Sequence, residues 1–151
     1  MWYRVFCRST AALEPRELVA RLANLGRPIR GEFQPDDRGW SSGALRIGTG
    51  TPIYVERFRT ADDDLRNDLN TWAAFLETLD YSPNHTRLME HVIQSQQLFT
   101  IRKPLDNADE SAADDLCRGL CTELARAADG VFQVEDEGWY TADGTLLLQE
   151  Y

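Results

Sequence analysis

Residues 31–40 read Gly-Glu-Phe-Gln-Pro-Asp-Asp-Arg-Gly-Trp, and residues 130–139 read Gly-Val-Phe-Gln-Val-Glu-Asp-Glu-Gly-Trp. Six of the ten positions are identical, and a seventh exchanges Asp for Glu. Trp is rare enough that chance explains the match poorly, so the chain carries an internal repeat. The surrounding patterns agree with that. A strand over 2–8 has Tyr3, Val5 and Cys7 on one side and Trp2, Arg4, Phe6 and Arg8 on the other. A helix follows, opened by Pro15, carried by Leu18, Val19, Leu22 and Leu25, and closed by Gly26. Strands around 31–35, 43–48 and 52–59 complete the first copy.

The second copy repeats the order. It has a strand near 98–103, a helix over about 111–128 with Leu116, Leu120 and Leu124 in register, and strands near 131–135, 139–140 and 145–150. Asp143-Gly144 supplies a hairpin turn. Between the copies, Leu65, Leu69, Trp72, Leu76 and Leu79 form a helical stripe, and a shorter helix uses Leu88, Val92 and Ile93. The fold class expected is α+β: two βαββ repeats, about 1–60 and 96–151, forming a mainly antiparallel sheet with helices packed on one face. A helical insert spans about 61–95. With no Gly/Ser linker, residues 1–151 read as a single domain.

Composition narrows the function classes. The net charge is −9, which opposes nucleic-acid binding unless a basic face is segregated. The charge is uneven. Residues 1–60 hold ten Arg against six carboxylates, and residues 61–151 hold six basic residues against nineteen carboxylates. No apolar run approaches the ~20 residues of a bilayer span. The opening Met-Trp-Tyr-Arg-Val-Phe lacks a charged-then-apolar leader pattern, so no signal peptide and no membrane partner are expected. Cys7, Cys117 and Cys121 are odd in number and fit no disulfide framework, which points to a reducing cytoplasm.

Motifs for chemistry are sparse. Ser41-Ser42-Gly43 and Gly48-Thr49-Gly50 lack the Lys and downstream helix of a phosphate loop. The acidic turns at Asp36-Asp37 and Glu135-Asp136-Glu137 lack the alternating ligand spacing of a calcium loop. No metal site and no cofactor are therefore read. Cys117 and Cys121 share a helix face with Leu116, Leu120 and Leu124 and read as core thiols, although pairing with His91 stays open.

Two functional expectations follow. One is a non-catalytic cytoplasmic binding or interaction protein. Its Arg-rich sheet face, built from Arg4, Arg8 and Arg46 and joined by Arg57 and Arg59, would meet an acidic protein or a second copy. Trp2 and Phe6 would add apolar area. Arg102 opposes Phe99 and Ile101 and belongs to the same pattern. The other is a small enzyme or ligand-binding protein with a cleft between the repeats, lined by Gln34, Asp37, Gln133 and Asp136.

Overall fold

The computed structural model describes residues 1–105 and 109–151. Strand β1 (Trp2–Cys7) leads to helix α1 (Pro15–Leu22), which tightens into a 3₁₀ turn over Ala23–Leu25. Strands β2 (Ile29–Asp36), β3 (Gly39–Ile47) and β4 (Ile53–Arg59) follow, then helices α2 (Leu65–Glu77) and α3 (His85–Gln94). Strand β5 (Gln97–Arg102), helix α4 (Glu110–Ala128) and strands β6 (Gly130–Val134), β7 (Gly138–Thr141) and β8 (Leu146–Gln149) complete the chain. The eight strands form one sheet in the order β2-β3-β4-β5-β1-β6-β7-β8, antiparallel at every pairing. The fold is α+β.

Local chemistry explains the helix ends. Pro15 opens α1, where a missing N–H is harmless, and Gly26 closes its 3₁₀ extension at φ 80°. Asp109 caps α4 by accepting from the Ala112 amide, and Asp129 ends it in a left-handed conformation.

Helices cover both faces of the sheet, which corrects the expectation of one. Tyr3, Val5 and Cys7 of β1 join α1 and α4 in one core, with Leu45, Val55, Phe99, Ile101, Phe132 and Val134. Phe6 points the other way. It joins Leu98, Val131, Trp139 and Leu148 beneath Leu65, Leu69 and Leu76 of α2 and Leu88 and Val92 of α3. The physical reason is that the central strands carry apolar side chains on both sides, and such strands need cover on both. Phe6 stacks on Trp139 at 5.2 Å and meets Trp72 edge-on at 5.9 Å. Phe6 and Trp139 are wholly buried and Trp72 half-buried, and a buried aromatic removes roughly 150–250 Å² from water, so these rings add a large apolar area to the leucines that attach the α2–α3 layer.

The two copies of the decapeptide fold differently. In the first hairpin Gln34 pairs with Ser42 and Pro35 with Trp40, so Ser41 bulges out of β3. In the second, Gln133 pairs directly with Trp139 and no residue bulges. Phe33 and Phe132 still pack on the α1/α4 side, whereas a one-residue offset turns the two Trp to opposite faces. Trp40 donates its indole N–H to the Leu13 carbonyl on one side, and Trp139 donates to the Glu150 carboxylate on the other. Position in the sheet differs as well. β2 is an outer strand, while β6 lies beside central β1.

The α2–α3 layer stops halfway. Its sheet contacts come from β1, β5, β6, β7 and β8, with Phe58 at the end of β4; among the described residues β2 and β3 supply none. Among the described residues nothing therefore covers the second face of the sheet over β2, β3 and most of β4.

Candidate functional site

Register builds this bare half-face row by row. The central row runs Glu32, Ala44, Tyr54, Arg102 and Trp2 across β2, β3, β4, β5 and β1. The next runs Gln34, Ser42, Glu56 and Thr100, and continues past the edge of the bare part to Arg4, against Trp72 of α2, and to buried Gln133. At one end Arg30 stands directly opposite Arg46. Small Ala44 and Ser42 floor a shallow depression of about 420 Å³, walled by Gln34, Tyr54, Glu56 and Arg102. Tyr54 and Trp2 are 39% and 36% exposed, large values for aromatics. The Arg102 guanidinium lies 4.8 Å from the Tyr54 ring centre.

The charges on this face are unbalanced. Like charges directly opposite in a sheet are destabilising, yet Arg30 faces Arg46. Among the described residues no carboxylate lies within ion-pair distance of Arg30, Arg46 or Arg102. Among the described residues Arg46 makes only a 3.4 Å bond to the Gly50 carbonyl. Elsewhere carboxylates neutralise many of the arginines. Arg8 holds Asp129 through two bonds, Arg21 holds Glu17, and Arg118 bridges Asp114 and Glu137.

The residues singled out from the sequence scatter. Trp2, Arg4 and Arg46 lie on the face described. Arg4 is held in place, donating to the Gln133 Oε1 at 2.9 Å, pairing with Glu135 at 3.5 Å and lying 4.7 Å from the Trp72 ring centre. Phe6 is buried, not exposed, because α2 covers it. Arg8 lies past the end of β1 and is spent on Asp129 and Gln94.

Arg57 and Arg59 face the opposite side of the sheet and are only 6% and 7% exposed. They share the phase of Ile53 and Val55 along β4, which fixes their side. Arg57 donates to Gln97 Oε1 and to the carbonyls of Arg38, Trp40 and Thr10. Arg59 pairs with Asp36 at 3.0 Å and donates to the Trp40 carbonyl. Burial, and then the adjacent Arg59 charge, pull the Arg57 guanidinium below its ordinary pKa. Both are internal struts.

Gln34, Asp37, Gln133 and Asp136 do not share a cleft. Five strand spacings separate Gln34 from Gln133, ~24 Å at the usual inter-strand distance. Gln133 is buried and fully engaged, accepting from Arg4 and donating to Glu150. The Glu150 carboxylate also takes the Asp136 amide and the Trp139 indole, so it organises the second turn. Asp37 sits in the exposed first turn.

Cysteine chemistry is suppressed. Burial raises the thiols of Cys7 and Cys121 strongly and pushes Cys117 up to about 12. His91 contacts the other face of the sheet, its Nε2 at 2.9 Å from the Phe6 carbonyl, so the sheet stands between it and the α4 thiols. Among the described residues no group of three or more His, Cys, Asp or Glu side chains is placed to hold a metal, and no helix is long and apolar enough to cross a membrane.

Sequence reasoning missed Arg30, Tyr54, Glu32 and Glu56 as neighbours on one face. The signal was present in β4, where Tyr54 and Glu56 alternate against Ile53 and Val55. What it lacked was the strand order. No protein-family model matches the chain, and no curated protein or solved structure matches it.

Proposed function

We propose that this chain is a non-catalytic binding protein that takes an acidic partner on its bare half-sheet. The observation that carries this is the cross-strand Arg30–Arg46 pair, which has no counter-charge among the described residues in a chain of net charge −9. Such a pair costs stability in the free protein, by a few tenths to about 1 kcal/mol. An anionic partner removes that cost on binding. Arg102 extends the positive charge, and Trp2 and Tyr54 add apolar area next to it. Three buried, unpaired thiols support a reducing, cytoplasmic setting. The common order of strand, helix and three strands in both sequence copies supports descent from a doubled unit.

Poly-L-glutamate is a sufficient probe, because a chain of net charge −9 has no general reason to bind it. Isothermal titration at about 50 mM salt is expected to show saturable binding by the native chain, weakened about tenfold in R46E/R102E and weakened further as salt rises. Absence of binding, or equal binding by the double variant, overturns the proposal.

A further inference from the structure

The two edges of the sheet are finished differently. At β8 the outer carbonyls are capped by side chains from the α2–α3 connection. Tyr81 donates to the Gln149 carbonyl at 2.6 Å, while Ser82 and Asn84 donate to the Leu147 carbonyl at 3.3 and 2.8 Å. At β2 there is no counterpart. Among the described residues, no group outside β3 hydrogen-bonds the backbone of Ile29–Asp36. β2 is also the longer edge, eight residues against four, and all of it is exposed except half-buried Ile29 and Phe33. An edge strand of this kind presents a row of free N–H and C=O groups that can accept another strand.

The open edge and the bare half-face meet along β2. Resting on the half-sheet reading above, we infer that the partner is an extended acidic peptide segment that adds to β2 as a ninth strand. Backbone pairing with Ile29–Gln34 supplies affinity, and Pro35 ends it because proline donates nothing to a ladder. Alternate side chains of the segment then fall on the two faces. On the bare face they meet Arg30, Glu32 and Gln34 in turn, so carboxylates belong at the Arg30 end, where Arg46 is the next neighbour inward. On the other face they flank half-buried Ile29 and Phe33, so apolar residues belong there. The charges on β2 thereby select a complementary strand and discourage indiscriminate pairing.

The test uses a fluorescein-labelled peptide, Val-Gln-Val-Gln-Val-Glu-Val-Glu, whose carboxylates lie beside Arg30 when it runs antiparallel to β2. Two further versions carry backbone N-methyl groups, one on every Val and the other on every Gln and Glu. In an antiparallel ladder the amides of alternate residues point to opposite sides. Fluorescence anisotropy is therefore expected to show binding by the plain peptide and by one methylated version, with at least about tenfold loss for the other. R30E/R46E is expected to weaken the plain peptide by a similar factor. Equal binding of both methylated versions overturns strand addition while leaving the half-sheet reading intact. No binding of the plain peptide also overturns strand addition, and the poly-L-glutamate titration then decides the half-sheet reading separately. A solution mass of two chains without peptide, lost in R30E/R46E, overturns the inference by giving the edge to a second copy.

Discussion

Arginine shows how little residue type says about role. Arg46 and Arg57 both lie in strands of the same meander, yet one is exposed without a charge partner and the other is a buried strut. Replacing Arg57 with Met removes the side-chain donor of the Thr10 carbonyl and of the Gln97 amide oxygen, and leaves the Arg38 and Trp40 carbonyls with Arg59 alone. That should cost about 3 kcal/mol in urea unfolding. Arg46→Met should stay within about 0.5 kcal/mol, or stabilise slightly by removing a like-charge pair. Equal effects of the two substitutions would contradict the burial assigned to them.

His91 is a second residue whose setting decides its behaviour. Burial, opposed by the Phe6 carbonyl, holds its pKa below the ordinary 6.5; Arg8 and Arg87 lower it further, while Asp129 raises it. The folded protein resists charging it, whereas the unfolded chain does not. Stability from this group is therefore complete above 6.5 and is lost as the pH falls below that value. A His91→Gln variant should show a flatter stability profile between about pH 7 and 5 than the native chain. Parallel profiles in urea unfolding would rule out the histidine as the cause.

At the scale of elements, the paired decapeptides show both the reach and the limit of sequence reading. Alternation placed the strands and helices within a few residues of where they lie, and the Phe shared by the two decapeptides faces the α1/α4 side in both, Phe132 buried and Phe33 half-buried. The pattern could not report the bulge at Ser41, which is a property of the β2–β3 pairing and not of β3 alone. Even the shared Gly before Trp serves two purposes. Gly39 adopts φ 116°, a conformation that side chains rarely take. Gly138 is not a conformational case: a Cβ there would lie 2.6 Å from the Leu148 carbonyl oxygen, in the path of β8. Alanine at either site should destabilise by about 1–3 kcal/mol, for different reasons. Shortening Leu146, whose Cδ1 would lie 2.9 Å from the new Cβ, should recover part of the loss at 138 and none at 39. Thermal unfolding of the two double variants distinguishes the cases.

The whole molecule is a sheet closed on one face and half closed on the other. Strand order, which no local pattern encodes, decides that Gln34 and Gln133 lie far apart, and the reach of the α2–α3 layer along β1 decides that Phe6 is covered while Trp2, on the same face of the same strand, is exposed. The candidate face was therefore legible as a set of alternating positions but not as a place. The same asymmetry predicts a gradient of local stability. β1 is central and packed on both faces, with Val5, Phe6 and Cys7 wholly buried, so its amides should exchange only on global unfolding. β2 has one neighbour in the sheet and, among the described residues, no cover on its second face and no cap on its rim, so its outward amides should exchange fastest of any strand. β8, equally an edge, should fall between them, because Trp139 and Leu148 pack beneath α2 and its carbonyls are capped. Native-state hydrogen exchange resolved by residue measures this order directly. Slow exchange along β2 comparable to β1 would mean that its rim is already occupied in the isolated protein. The free edge on which strand addition depends would then not exist.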